Sequence, residues 1–186
     1  MTERRIKLDA AGFKAYYKST YYNARIAYGF SDRFEVYGRI GAADLDGKVT
    51  YGGATAELSG SSRLAWGLGA QGILYDAGKW NLGGDATYFA HSGHKFGAVN
   101  ITGVDWAEWH IAAVATGTFE QIHPYGGVRY SDFKVNADGY SGSDKAKNKC
   151  GVFAGLGFAI NDQWSAYGEG RFIDETAFGG GVRYTF

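Results

Sequence analysis

The side chains of this chain that could do chemistry lie on one face of segments in which polar and apolar residues alternate. A period of two is typical of β-strands with one apolar face. The polar face carries five arginines and four acids, Arg25, Arg39, Arg129, Arg171, Arg183, Glu35, Asp85, Glu108 and Glu169. Charges withdrawn from bulk water are costly unless they are paired or hydrated, so opposite signs should be neighbours. Glu35 and Arg39 share one strand face, and Glu169 and Arg171 share another.

Two uses of this polar face stay open. It can form an ion-pair network that fills the interior of a closed barrel, or it can line a narrow polar channel and set its ion preference. The same face is rich in glycine, at Gly67, Gly69, Gly83, Gly151, Gly155, Gly157, Gly179 and Gly181. These glycines indicate either open interior space or the tight curvature of a narrow barrel.

A catalytic site is weakly indicated. His110 and Glu108 are an acid–imidazole pair close in sequence on the polar face. A hydrolase also needs a nucleophile and an oxyanion site, and nothing in the sequence fixes Ser131 or Ser165 near His110. We therefore expect that the protein is not an enzyme.

The sequence predicts no metal site and no cofactor. His91 and His94 begin a predicted loop and lack a third ligand of clear spacing, so we expect them to be solvated. The segment 138–144 resembles a calcium loop in composition only and lacks the EF-hand spacing. Lys145, Lys147 and Lys149 form a short basic rim that could contact lipopolysaccharide phosphates.

Nine strands are predicted, at 20–30, 33–43, 63–75, 80–91, 109–119, 124–131, 150–160, 164–172 and 177–186. A tenth is expected at about 5–18, where the alternation changes parity and a bulge near Ala11 and Gly12 would reconcile the two halves. We predict an all-β, antiparallel up-and-down transmembrane barrel of ten strands in a single domain, 1–186, with eight strands as the alternative. An even number fits bacterial single-chain barrels.

Composition excludes several classes of protein. The net charge is zero and no basic stripe occurs, so nucleic-acid binding is not expected. A single cysteine excludes an intramolecular disulfide framework. No run approaches the roughly 18 to 20 apolar residues of a membrane helix, and the mean hydropathy is −0.27. The first residues do not form a signal peptide, so we expect that a leader has been removed.

Connections and aromatic residues favour a membrane barrel. Short connections alternate with longer ones at about 44–62, 92–104 and 137–149, as in outer-membrane barrels. Aromatic residues form two predicted girdles, one beside the short turns (Tyr28, Phe30, Phe34, Trp80, Phe119, Phe158, Trp164 and Phe186) and one toward the other strand ends (Tyr22, Trp66, Tyr88, Trp109 and Phe172). The alternative is a soluble ligand-binding barrel with the apolar face turned inward, which would place these aromatic residues inside.

Two segments carry a resemblance to a known family. They are the terminal GVRYTF at 181–186, in which Val182, Tyr184 and Phe186 share a face, and YGFSDRFEVYGR at 28–39. The chain resembles small bacterial outer-membrane β-barrels of the porin-like and OmpA type. The resemblance implies an outer-membrane location, contact with lipid and lipopolysaccharide, and insertion by the barrel assembly machinery.

The functions expected from the sequence are of different classes. The first is a monomeric structural barrel or narrow passive pore. A surface protein that binds partners through its long loops is the alternative, and an outer-membrane hydrolase comes last.

Overall fold

The computed structural model describes residues 2–10, 13–51, 53–96, 101–136 and 149–185. Within them the chain forms eleven strands and one continuous sheet. The strands are β1 Thr2–Ala10, β2 Phe13–Ser31, β3 Phe34–Tyr51, β4 Ala54–Ser59, β5 Arg63–Asp76, β6 Trp80–Phe96, β7 Ile101–Gly117, β8 Ile122–Asn136, β9 Cys150–Ala159, β10 Trp164–Phe172 and β11 Thr176–Tyr184. No helix among these residues is long and apolar enough to cross a membrane.

All strand pairs are antiparallel, and most join neighbours in sequence. One exception is β3, which pairs with β5 through Phe34–Ala43 and with β4 through Asp46–Tyr51. The other is β1, which pairs with β2 along its whole length and with β11 at Thr2–Arg5. Within the described strands β2 and β11 are not paired with each other, so no ladder joins the Ser31 end of β2 to Gly180–Tyr184 of β11. The predicted all-β, antiparallel up-and-down sheet is confirmed.

The N-terminal segment differs from the single bulged strand predicted for 5–18. It contains most of β1 and the start of β2, which pair as a hairpin from Ala10↔Phe13 to Thr2↔Tyr21. A reversal of direction explains the change of parity, because the two halves belong to two strands. The second of these strands continues without a break into the predicted strand at 20–30.

The two ends of the sheet differ in the connections between their strands. Short turns near residues 32–33, 77–79, 120–121 and 161–163 form one end, which we name the turn side. At the other end, the loop side, the predicted loops are shorter than expected. The hairpin β3–β4 occupies most of 44–62, and β6 and β7 extend into 92–104. The predicted loop at 137–149 lies outside the described residues, apart from Lys149.

The apolar face of the sheet points outward. Trp66, Trp80, Trp109 and Trp164 are each between 41% and 50% exposed. The other aromatic residues predicted for the girdles are exposed as well: Tyr22, Tyr28, Phe30, Phe34, Tyr88, Phe119, Phe158 and Phe172. Phe186 lies outside the described residues. A soluble barrel with these rings inside is therefore not what the chain forms.

The inner glycines accommodate aromatic rings. Gly69 lies opposite Tyr37, and Gly155 lies opposite Tyr125. A methyl group at either glycine would overlap the ring of its tyrosine. Because the rings occupy the space above these glycines, the glycines serve ring packing and curvature rather than an open interior.

Candidate functional site

The inner face near β2, β3 and β11 carries three arginines, two of which are paired with one acid. Glu35 forms ion pairs with Arg25 and, at 3.1 Å, with Arg183 Nη2. Arg25 Nη2 also donates to Gln71 Oε1 at 3.2 Å. Arg39 is directly opposite Arg25 across the two strands. Glu35 and Arg39 are not paired, because residues four apart in a strand are about 13 Å apart.

Asp85 is the centre of a second group. Tyr37 Oη donates to its Oδ2 at 2.6 Å, and Thr87 Oγ1 donates to its Oδ1 at 3.0 Å. His110 Nε2 lies 3.1 Å from Oδ1, so this nitrogen carries the proton. Strands β3, β6 and β7 therefore share one carboxylate that is fully provided with donors.

A third group lies where the turn between β10 and β11 bends into the interior. Arg129 donates to Asp174 Oδ2 from Nε at 2.9 Å and from Nη2 at 2.6 Å, and Nη2 lies 2.5 Å from Glu175 Oε1. Ser131 Oγ also donates to Asp174 Oδ2, at 2.8 Å. The side chains of Arg129, Asp174 and Glu175 are at most 3% exposed. Ile173, just before the two acids, has a φ of 84°.

The third group extends to the adjacent strand. Arg171 Nε lies 2.5 Å from Glu169 Oε1, and its Nη1 lies 3.6 Å from Glu175 Oε1. Glu108 is buried on the same inner face. Glu169 and Arg171, which lie two residues apart on one strand face, are thus in contact, unlike Glu35 and Arg39, which lie four residues apart.

Asp174 and Glu175 were missed from the sequence, where they fall in a turn after the tenth predicted strand. One signal could have indicated them. The predicted polar face has one more arginine than acids, and an interior with surplus guanidinium charge needs further carboxylates.

Toward the loop side of these groups, the inner face carries a set of buried apolar and aromatic side chains. This aromatic plug consists of Tyr21, Leu45, Ala65, His91, His94, Trp106 and Phe133, none more than 6% exposed. The Trp106 ring stacks between His91, at a centroid distance of 5.9 Å, and Phe133, at 4.7 Å. Six strands, β2, β3 and β5–β8, contribute to the plug.

His91 and His94 are buried in the plug, so the expectation that they are solvated is wrong. His94 Nδ1 lies 2.8 Å from the carbonyl oxygen of Ser61, and a carbonyl only accepts. His94 Nε2 therefore accepts from His91 Nδ1 at 2.6 Å, and His91 Nε2 can accept from Tyr21 Oη at 3.4 Å. The chain of hydrogen bonds is complete with both rings neutral.

The burial of this pair disfavours protonation. Loss of hydration, with a smaller contribution from the neighbouring His94, lowers the pKa of His91 from 6.5 to about 3. Loss of hydration also lowers the pKa of His94. Both residues lie beyond the loop-side girdle, which on the same strand is marked by Tyr88. In the described part of the chain no group of three His, Cys, Asp or Glu residues could hold a metal.

The strand register brings Ser131 directly opposite His110, which the sequence could not establish. Each side chain forms a hydrogen bond with a different residue: Ser131 donates to Asp174, and His110 bonds to Asp85. Among the described residues no hydrogen bond joins Ser131 Oγ to the imidazole. Ser165 lies on β10 toward the turn side.

The predicted basic rim is described only at Lys149, which donates to Asp132 Oδ2 at 2.7 Å. This bond raises the pKa of Lys149. Lys145, Lys147 and the segment 138–144 lie outside the described residues. Contact with lipopolysaccharide therefore stays a prediction.

Comparisons with known proteins give structural likeness only. No protein-family model and no curated protein matches the chain. Its structure resembles that of a loop L8 deletion variant of OmpT, an outer membrane protein of Vibrio cholerae, with 17% identity, a TM-score of 0.43, and coverage of 96% of this chain and 60% of that one. The translocator domain of the autotransporter NalP from Neisseria meningitidis matches with 13% identity, a TM-score of 0.49, and coverage of 100% and 86%.

A third likeness is to the alcaligin outer-membrane receptor FauA of Bordetella pertussis, with 16% identity, a TM-score of 0.35, and coverage of 86% and 29%. The chain spans less than two thirds of the OmpT and FauA chains. OmpT is described as an outer membrane protein and FauA as an outer membrane receptor. With TM-scores below 0.5, these likenesses support no comparison of sites.

Proposed function

We propose that the chain is a bacterial outer-membrane β-barrel of ten strands with a closed, ion-paired interior, and that it acts as a structural membrane barrel. Strands β1–β3 and β5–β11 form the barrel, and β4 extends the β3 hairpin on the loop side. The strand pairs support this count. β1 pairs with β11, each strand from β11 back to β6 pairs with the one before it, β5 pairs with β3, β3 with β2, and β2 with β1. The short β1–β11 ladder is the closing contact.

The membrane location is supported by the outer face. A contiguous exposed surface of Ile, Leu, Trp, Tyr and Phe is rare on soluble monomers, whereas a membrane barrel needs such a belt. Ile26, Leu68, Leu74 and Val182 are each more than 60% exposed. Aromatic rings flank the belt on both sides, where a ring can face lipid while its polar edge stays hydrated.

The aromatic plug is the observation that carries the structural role. Charges on the turn-side half of the interior remain partly exposed, at 25% for Arg25 and 48% for Arg183, whereas the plug residues above them are buried. Ions that enter from the turn side would meet stacked rings. A narrow passive pore stays the alternative, and it requires displacement of the plug.

Other roles keep less support. Partner binding through the loops would involve 137–148, which lie outside the described residues. Hydrolysis would need a different partner for Ser131. Insertion by the barrel assembly machinery remains part of the proposal.

Two measurements test the proposal. The barrel should refold in detergent micelles and migrate differently on a gel when it is not heated, whereas a soluble barrel needs no detergent. In planar bilayers the refolded protein should give no discrete current steps. Current steps of uniform size from the wild-type protein would contradict the structural role and support the pore.

A matched pair of variants locates the barrier. Trp106→Ala removes an inner ring of the plug and should produce current steps, whereas Trp109→Ala removes an outer ring on the same strand and should stay silent. Each variant must first show the unheated gel shift of a folded barrel. Steps in both variants, or in neither, would contradict the assignment of the barrier to the plug.

A further inference from the structure

Arg25 and Arg39 are placed against each other in a way that their own strands do not explain. They are directly opposed on β2 and β3, and both lie on the inner face. Like charges directly opposite each other destabilise a strand pair. Both guanidinium groups lie over the ring of Tyr37, with centroid distances of 4.0 Å for Arg25 and 5.1 Å for Arg39. The ring holds the two groups near one another.

Both arginines keep an unused donor. The Nε atoms of Arg25 and Arg39 are buried, and neither has a hydrogen-bond partner in the described part of the chain. A buried donor of a charged group that makes no hydrogen bond is costly. Two such donors on opposed side chains indicate that an acceptor belongs between them.

The surrounding charge is positive. Arg25, Arg39 and Arg183 are accompanied by one ion-paired acid, Glu35, whose two carboxylate oxygens are occupied by Arg25 and Arg183. The nearby Asp85 accepts from Tyr37, Thr87 and His110. A ligand at this position should therefore carry negative charge.

The position can be reached from the turn side. Arg183 is 48% exposed and Arg25 is 25% exposed, while the aromatic plug closes the opposite end. A ligand that enters this way must be small, because Tyr37, Gln71 and Glu35 already contact Arg25.

We propose that Arg25 and Arg39 form a binding site for a small oxyanion, such as phosphate or a carboxylate, inside the barrel. Arg39 offers Nε–H and Nη–H donors in a planar fork that matches two oxygens of such an anion, and Arg25 adds its Nε–H donor, since its Nη2 is bonded to Glu35 and Gln71. Arg183 adds charge at the entrance. The site needs β2, β3 and β11 only, so it does not depend on the membrane location or on the plug being a barrier to ions.

Titration with inorganic phosphate tests the site in the protein refolded in detergent micelles at constant ionic strength. The Nε–H resonances of Arg25 and Arg39 should shift and saturate, and the unfolding midpoint in urea should rise. Arg39→Gln should weaken phosphate binding by about tenfold or more, because a charged hydrogen-bond partner is lost. Arg39→Lys should bind phosphate more weakly than the wild type and more tightly than Arg39→Gln, since lysine keeps the charge but lacks the planar fork.

Controls separate the site from general ionic effects. Lys149→Gln removes one positive charge at the loop side and should bind phosphate as the wild type does. Without phosphate, Arg39→Gln should unfold no earlier than the wild type, because the opposed charge is gone. Sulfate should compete with phosphate, whereas chloride at the same ionic strength should not.

The absence of saturable shifts in the wild type would overturn the proposal, as would equal binding by Arg39→Gln. If Arg39→Gln does not fold, equal binding by Arg39→Lys and Arg25→Lys would have the same meaning. Bilayer currents do not enter this test, so its failure leaves the structural role untouched.

Discussion

At the scale of single residues, the ion pairs of the inner face join side chains that are far apart along the chain. All nine charged residues predicted for the inner face lie opposite the exposed apolar face. Their partners depend on strand register and on barrel shear, and the sequence pattern contains neither. Glu35 therefore binds Arg25 from the preceding strand and Arg183 from the far end of the chain.

Gly69 provides a test at this scale. Gly69→Ala should lower the free energy of unfolding by about 1–3 kcal/mol, because the added methyl group overlaps the Tyr37 ring and forces it to move. Urea unfolding in micelles measures the change.

Gly168→Ala is the matched control, since a methyl group at Gly168 has no atom within 4 Å. We expect a change within about 0.5 kcal/mol there. Equal effects at both glycines would mean that the Tyr37 ring does not rest on Gly69.

At the scale of elements, strands were easier to predict than turns. The period of two locates the strands from residue 20 onward that were predicted, because each of them has one apolar and one polar face. The N-terminal hairpin was missed because a tight reversal and a bulge both change parity by one residue. The inward turn at 173–175 was missed because turn residues are usually exposed, and its burial depends on Arg129 from a distant strand.

Arg129 should hold this turn in place. Arg129→Met leaves the buried Asp174 carboxylate without a guanidinium and leaves Glu175 with only the more distant Arg171, so the free energy of unfolding should fall by about 3–5 kcal/mol. Urea unfolding of the refolded barrel checks the value.

A substitution at an exposed ion pair serves as the control for Arg129→Met. Lys48→Met breaks the exposed pair with Glu57, whose side chains are 53% and 81% exposed, and should cost less than about 1 kcal/mol. A similar small loss for Arg129→Met would show that water reaches Asp174 and Glu175.

At the scale of the whole molecule, the aromatic plug joins six strands of the sheet and makes the fold sensitive to acid. His91 has a folded-state pKa of about 3 against 6.5 when unfolded, so the unfolded chain binds more protons between these values. Stability is then fully present above pH 6.5 and is lost as the pH falls below it. At pH 5 the loss from His91 is about 2 kcal/mol.

Unfolding midpoints between pH 7.5 and 5 measure this effect. The double variant His91→Gln, His94→Gln should show a flatter pH dependence than the wild type, whatever its stability at pH 7.5. His123→Gln, on the turn-side part of β8, should keep the wild-type slope. A wild-type slope in the double variant would assign the acid sensitivity to other groups.

The tyrosine rings that rest on glycines also bear on how the chain assembles. Tyr37 lies against Gly69 between β3 and β5, Tyr125 against Gly155 between β8 and β9, and Tyr167 against Gly181 between β10 and β11. The three contacts span 32, 30 and 14 residues of sequence, and their strands follow one another along the chain except that β4 lies between β3 and β5. Local contacts form at a smaller loop-closure cost than distant ones. Curvature can thus develop hairpin by hairpin, and the long-range meeting of β1 with β11 would come last, between edges that are already bent toward each other.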